Sequence, residues 1–190
     1  LVTLSAEQSK AGDRVTDEKG KAVPSQRLST GELVFWASDV PAFGSSLYHI
    51  SKGNASGLGK GKVLGNTVSN DLISISIDPS SGAIKSLKDL SGHEFVDQKS
   101  PYMVNSYRYL HGADSASKAA APVDTHITVK EKGPLVNSLL VTSKADGCNS
   151  LQSEIKLIQG QAWVEMTNIL DKISTQEKEG VHFGFAFNIP

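Results

Sequence analysis

The stretch Val181-His182-Phe183-Gly184-Phe185-Ala186-Phe187-Asn188-Ile189 decides the fold class. Its odd positions are Val, Phe, Phe, Phe and Ile, and its even positions are His, Gly, Ala and Asn. A helix would scatter those apolar side chains around its circumference, so the period of two predicts a strand with one apolar face. The same alternation occurs upstream. Ile73, Ile75 and Ile77 share a face opposite Leu72, Ser74 and Ser76, as expected of a strand with one side in a core. Ser69-Asn70-Asp71 and Asp78-Pro79-Ser80-Ser81-Gly82 separate this strand from strands expected at 63–68 and 83–88. The second spacer has hairpin-loop composition. Ser91-Gly92 reads as a further turn, 103–110 as a Tyr-rich strand and 112–125 as a long loop.

Residues 151–170 read as a hairpin around Gly160. Pairing 157 with 164 aligns Leu157/Val164, Ile155/Met166 and Leu151/Leu170 on one face. It sets Lys156 opposite Glu165 and Ile158 opposite Trp163 on the other, with a loop of 159–162. A two-residue shift would oppose Glu154 and Glu165, like against like, which destabilises a sheet. No long amphipathic helix and no internal repeat is visible. The expected class is all-β, an antiparallel sandwich.

Nearer the start, 33–37 is an apolar run read as a buried strand, and 46–51 is a second strand. Residues 51–62 are rich in Gly, Ser and Lys and read as a flexible linker or exposed loop. The expected division is therefore 1–61, part of a small β-domain with its linker, and 62–190, a larger β-domain. Leu1 stands where an initiator Met would, without the basic and apolar regions of a signal peptide, and Pro190 directly follows an apolar run. Both ends read as cut, so the expectation is a fragment whose larger domain is truncated at its C-terminus.

Composition excludes several classes. The 190 residues carry 19 Lys+Arg and 20 Asp+Glu, which disfavours a nucleic-acid partner. No run approaches the ~18 apolar residues of a membrane-spanning helix. One cysteine, Cys148, excludes an internal disulfide and a multi-cysteine metal site. His49, His93, His111, His126 and His182 show no metal-ligand spacing, so no metal site is expected here. Asp71, Asp78, Asp89, Glu94, Asp97, Glu154, Glu165 and Asp171 are read as solvated or paired carboxylates. Gly57-Leu58-Gly59-Lys60-Gly61-Lys62 lacks the spacing of a phosphate loop, and no helix follows it. Asn54-Ala55-Ser56 is a glycosylation sequon, relevant only on a eukaryotic secretory route. Trp36 is expected in a core. Trp163 is a candidate for sugar stacking or for a domain interface, and Tyr102, Tyr107 and Tyr109 form a second aromatic group.

Several stretches resemble the β-rich C-terminal half of the α-mannosidases of glycoside hydrolase family 38. Phe35-Trp-Ala-Ser-Asp-Val-Pro-Ala-Phe-Gly44, followed by Tyr48, looks like the segment ending that family's small β-domain. Asp78-Pro-Ser-Ser-Gly-Ala-Ile-Lys-Ser-Leu87 looks like its D-P-x-T-G-x-I-x-S-L hairpin. Val129-Lys-Glu-Lys-Gly-Pro-Leu-Val136, Asp171-Lys172, Glu177-Lys-Glu-Gly-Val-His-Phe183 and Phe187-Asn-Ile-Pro190 follow in the family's order.

The resemblance implies a galactose-mutarotase-like supersandwich from about residue 62. It implies a zinc-dependent, retaining exo-α-mannosidase as parent, active on α-mannosides. The family's nucleophile and zinc ligands lie on an N-terminal barrel and the segment after it, so no catalytic residue and no zinc ligand carries over to this chain. One position carries over: Asn105-Ser-Tyr-Arg-Tyr109 looks like the neighbourhood of a substrate-proximal tyrosine, matched here by Tyr107. Tyr109 and Trp163 are the further candidates for stacking or interface contact. The implied partner is the catalytic barrel of the same polypeptide, with homo-oligomer contacts in the parent. The alternatives are a carbohydrate-binding module working by aromatic stacking, and an aldose-epimerase-like enzyme using His93, His126 or His182 with Glu165.

Overall fold

The computed structural model describes residues 1–59, 61–115 and 118–188. Ile189, the last residue of the alternating stretch, Lys60 of the linker, and the final Pro190 lie outside them. The fold is all-β and antiparallel throughout its ladders. No helix among the described residues is long and apolar enough to cross a membrane.

Six short strands come first: β1 (Val2–Leu4), β2 (Arg14–Asp17), β3 (Ala22–Val23), β4 (Ser25–Arg27), β5 (Leu33–Phe35) and β6 (Tyr48–Ser51). They form two three-stranded sheets, ordered β1-β5-β4 and β3-β2-β6. Val15, Val23, Leu33 and Phe35 are buried between them, with Tyr48 and Ile50 packed alongside. The Phe35 and Tyr48 rings meet at 5.0 Å. The apolar run at 33–37 is thus a buried strand, as its composition predicts.

Ten strands follow: β7 (Lys62–Leu64), β8 (Thr67–Ser69), β9 (Ile73–Ile77), β10 (Ile84–Asp89), β11 (Val104–His111), β12 (Val123–Lys132), β13 (Val136–Lys144), β14 (Cys148–Ile158), β15 (Glu165–Lys172) and β16 (Glu179–Phe185). A six-stranded sheet, β16-β11-β10-β9-β8-β7, packs on a four-stranded sheet, β12-β13-β14-β15. Ile73, Ile75 and Ile77 point into the core between them, where they join Leu139, Val141, Ile155 and Leu157. The period of two in β9 therefore sets which face is buried.

Two expectations are corrected here. The strand expected at 63–68 is a hairpin, with Leu64 paired to Thr67 across Gly65-Asn66. Gly65 has φ 55 at the first central position, which a tight two-residue turn requires. The loop expected at 112–125 is shorter, because β12 begins at Val123 and Ala120 bridges Tyr109.

The hairpin of β14 and β15 has the expected register: Leu151 faces Leu170, Ile155 faces Met166, and Lys156 faces Glu165 with Nζ 3.1 Å from Oε2. The ladder stops there. Leu157/Val164 and Ile158/Trp163 do not pair, because other partners take the backbone. Asn70 Nδ2 donates to the Ile158 and Gln161 carbonyls at 2.8 Å each, and the Gln159 N–H donates to Leu135 O at 2.8 Å. Trp163 consequently sits in the connection and not on a strand face.

The two parts of the chain are clamped together. Gln26, on β4, is 5% exposed. Its Oε1 accepts from the N–H groups of Leu135 and Val136 at 3.0 and 2.7 Å, and its Nε2 donates to Val136 O at 3.0 Å. Gln26 thereby serves the β12–β13 turn as a strand backbone would. Beside it, Ser29 N donates to the buried Glu131 carboxylate at 2.9 Å. Val34, Leu135, Val136 and Ile158 form a shared apolar cluster with Leu28 and Trp36 against it. Trp36 is therefore a packing residue, as expected.

Of the two readings of 51–62, a flexible linker or an exposed loop, the described residues form a mostly exposed loop that is pinned at the junction. Ser25 N donates to Ser56 O at 2.7 Å. A Cβ at Gly57 would lie 2.1 Å from Pro134, and one at Gly61 2.4 Å from Asn137 Nδ2. The glycines here permit close backbone approach across the junction.

A second clasp joins the two larger sheets. Asn105 bulges β11 with φ 60 and exchanges amide bonds with Asn168 of β15, at 3.0 and 2.7 Å. Ser153 donates to Asn168 Oδ1 at 2.6 Å.

Candidate functional site

β11 carries the tyrosines singled out from the sequence. Pairing with β16 sets Tyr107 opposite Phe183 and Tyr109 opposite Val181. This odd-numbered face turns inward, onto Cys148, Leu151 and Leu170. Tyr107 is 2% exposed, and its hydroxyl donates to the Asp146 carbonyl at 2.6 Å. Its ring meets Phe183 edge-on at 5.6 Å. Burial raises its pKa, and the neighbouring Cys148 adds to the rise. Cys148 opens β14, 7% exposed, with Sγ 4.0 Å from the Tyr107 hydroxyl and bonded to Ala145 O at 3.5 Å.

Tyr109 is 6% exposed, and its hydroxyl donates to Glu179, which also pairs with Lys172. Donation to that carboxylate, then burial, pushes the Tyr109 phenol up to about 12. The same two partners, Lys172 first, hold Glu179 below the usual carboxylate range. Gly147, at φ 77, lets the chain pass the ring: a Cβ there would lie 2.1 Å from Tyr109 Cε2. Both hydroxyls are thus committed inward. The structure places Tyr107, the residue matched to a substrate-proximal tyrosine, beneath the surface as a packing and hydrogen-bonding residue.

Trp163 is different. It is 51% exposed and stands over a groove of about 580 Å³ lined by Leu72, Leu87, Leu90, Phe95, Met166 and Phe187. Leu72, Leu87, Val164 and Met166 are also the outer members of the main core. The sandwich core is therefore open to solvent along this side. Phe187 stacks on Phe185 at 6.3 Å, and both are exposed. The apolar face of the alternating stretch is thus divided: Val181 and Phe183 are packed inside, while Phe187 lines the groove and Phe185 lies exposed beside it. The sequence reading found Trp163 but missed Leu90 and Leu87. The available signal was a leucine directly before the Ser91-Gly92 turn, where a polar residue is usual.

The carboxylates hold turns and pairs. Asp78 caps its loop through Ser80 and through Ser81 N at 2.9 Å. Burial opposes its ionisation, but these bonds outweigh burial and keep its carboxyl below the usual range. Glu94 is set likewise: burial is overcome by Ser86 and the N–H groups of Leu87 and Val96. Ser91, then the His93 N–H, lower Asp89. Glu154 binds Lys130 at 2.5 Å and Ser138 at 2.8 Å. Glu165 is engaged by Lys156, so the epimerase-like pairing of Glu165 with a histidine has no geometric support. His111 lies 3.4 Å from Asp146, and His93 packs on Phe95. Among the described residues, no group of three His, Cys, Asp or Glu side chains is placed to hold a metal ion.

No family model matches the sequence, and no curated protein matches it.

Proposed function

We propose that this chain is the non-catalytic β-sandwich region of a zinc-dependent, retaining exo-α-mannosidase resembling glycoside hydrolase family 38, with a galactose-mutarotase-like supersandwich as its larger part. The groove beneath Trp163 carries the reading. An apolar face continuous with the core is costly to leave in water and marks a docking surface. In this reading its occupant is the catalytic barrel of the same polypeptide. The ordered motifs add support: 78–87 forms the loop between β9 and β10 with the first part of β10, and 129–136 includes the β12–β13 turn that Gln26 grips. Because the resembled family carries its zinc ligands and nucleophile on an N-terminal barrel and the segment after it, the reading assigns that chemistry to the barrel and gives this chain the tasks of packing on it and walling the substrate cleft.

The test compares the complete product of the gene with the 190-residue chain, both with zinc, on 4-nitrophenyl α-mannoside. The expected result is hydrolysis by the complete product alone. No hydrolysis by either overturns the mannosidase reading. Hydrolysis by the chain alone overturns the assignment of chemistry to a barrel. The exposed ring of Trp163 favours one second reading, a carbohydrate-binding module. It predicts mannan binding by the chain itself, abolished in Trp163→Ala.

A further inference from the structure

The four-stranded sheet ends at β15 with no fifth strand among the described residues, while the sheet packed on it has six. Of the smaller sheet's two edges, β15 is the less guarded. Its ladder to β14 runs unbroken from Glu165 to Asp171, whereas β12, at the other edge, is bulged twice. Bulges are one of the devices that keep an exposed edge from pairing.

Register shows which backbone groups β15 leaves open. The Gln159 N–H donates to Leu135 O in line with the β13–β14 ladder, so the odd-numbered residues of β14 bond β13. Hydrogen bonding alternates along an antiparallel strand, and the even-numbered residues of β14 therefore bond β15. Their partners there include Glu165, Thr167 and Ile169. Met166, Asn168 and Leu170 thus aim their N–H and C=O groups at the open edge, where no backbone partner meets them among the described residues. The same three residues turn their side chains inward. Leu151, Ser153 and Ile155 of β14 are buried in that layer, but Met166, Asn168 and Leu170 are only partly buried. β16 closes the six-stranded sheet on this side and is tied to β15 by the Lys172–Glu179 ion pair. Its inward Val181 and Phe183 are partly buried, and Phe185 is exposed. The core layer therefore runs on past the last strand of the smaller sheet.

We propose that β15 accepts an extended segment of a partner polypeptide as a fifth strand. A row of unpaired backbone groups at strand spacing recognises another backbone, and alternate side chains then set specificity. The added strand is apolar where it faces Met166, Asn168 and Leu170, because it covers the open layer there. The outward face of β15 reads Glu165, Thr167, Ile169 and Asp171 and carries no basic residue. Opposite charges across a ladder stabilise it, so basic residues are selected at both ends of the added strand. A second copy of β15 is disfavoured by the same rule, since antiparallel pairing about Asn168 sets Glu165 against Asp171. The inference does not rest on the mannosidase reading.

The test titrates the ¹⁵N-labelled chain with the peptide acetyl-Lys-Val-Thr-Phe-Thr-Val-Lys-amide. In the free chain, the amide hydrogens of Met166, Asn168 and Leu170 should exchange fast, and those of Thr167 and Ile169 slowly. The peptide should shift the first three saturably and slow their exchange about tenfold or more. N-methylation of its Val and Phe residues removes the donors that face β15 and should weaken binding about tenfold or more. N-methylation of its Thr residues leaves those donors and should change binding by less than about threefold. Asp171→Lys, at an exposed position, should weaken the parent peptide about two- to fivefold. Slow exchange of the three amides in the free chain, no saturable shift up to about 10 mM peptide, or equal binding of the two methylated peptides overturns the proposal. Undiminished binding by Asp171→Lys overturns the choice of a basic partner. Protection of the three amides that grows with protein concentration and needs no peptide also overturns it, because the occupant is then a second copy.

Discussion

Replacing Gln26 by Leu tests whether the two parts of the chain are one cooperative unit. Leucine keeps nearly the same volume but makes no hydrogen bond. It strands two backbone groups, the N–H of Leu135 and the N–H of Val136, while the Val136 carbonyl keeps the Gly133 N–H at 3.2 Å. Leu135 and Val136 are buried, and the apolar replacement leaves no polar room for water. Each stranded group costs about 1–3 kcal/mol. The two share one acceptor and do not add in full, so the expected loss is about 2–4 kcal/mol. With a urea dependence of roughly 2–3 kcal/mol per molar, the midpoint should fall by about 1–2 M. The assay is urea unfolding followed by far-ultraviolet circular dichroism and by fluorescence in a Trp163→Phe background. There Trp36, which packs on the junction cluster, is the only indole left. The parent should show coincident transitions, and Gln26→Leu should show the fluorescence change preceding the dichroism change. A midpoint shift below about 0.3 M, with transitions still coincident, would refute the clamp.

Asn105→Ala removes the amide clasp and also puts a Cβ-bearing residue without a polar side chain at φ 60, whereas Asn105→Gly removes only the clasp. Alanine should be the less stable by about 1 kcal/mol in thermal unfolding, and equal stabilities would contradict the backbone argument. Gly147→Ala should lose more than ~3 kcal/mol, because both its φ of 77 and the Tyr109 ring oppose a methyl group; wild-type-like melting would count against it. Tyr109 has a raised pKa, so its stabilising effect is whole below pH of about 10 and is lost as pH rises through about 12. Absorbance at 295 nm should show this late step and its disappearance in Tyr109→Phe. Glu179 is lowered, so its share is present above pH of about 4.3 and fades as pH falls through its folded value; Lys172→Met should move the acid transition upward. Trp163→Asp should change stability by no more than ~0.5 kcal/mol while lowering the fluorescence of a bound apolar dye; undiminished dye binding would remove the groove as the chain's main open apolar face.

The parts of the fold legible in the sequence are those where one face is buried and the other wet. In β9 the isoleucines alternate with serines, so burial is written directly into period two. The β14–β15 register was legible because a charge pair and an apolar set agreed on it. β13 escaped notice for the opposite reason. Both of its faces are buried, and Asn137 and Ser138 lie in its core-side run, which blurs the pattern. β12 is an edge strand with exposed Val123 and Val129 among polar residues, so its apolar positions carry no burial signal. The composition of 51–62 suggested freedom, yet Gly57 and Gly61 answer to Pro134 and Asn137, distant neighbours that no local reading can supply. At the site, Trp163 was visible as an aromatic in a polar setting. The inward commitment of Tyr107 and Tyr109 was not, since it depends on Asp146 arriving from the β13–β14 turn and Glu179 from β16.

The burial of Cys148 beneath Tyr107 has a kinetic consequence. The chain's only thiol sits at the start of β14, closed over by a ring whose hydroxyl is tied to Asp146. A thiol reagent can reach it only when that end of the sheet parts. Its rate of modification under native conditions is therefore a clock for the opening of β11 from β14. That clock can be read without denaturant, and Tyr107→Phe, which unties the ring, should make it run faster.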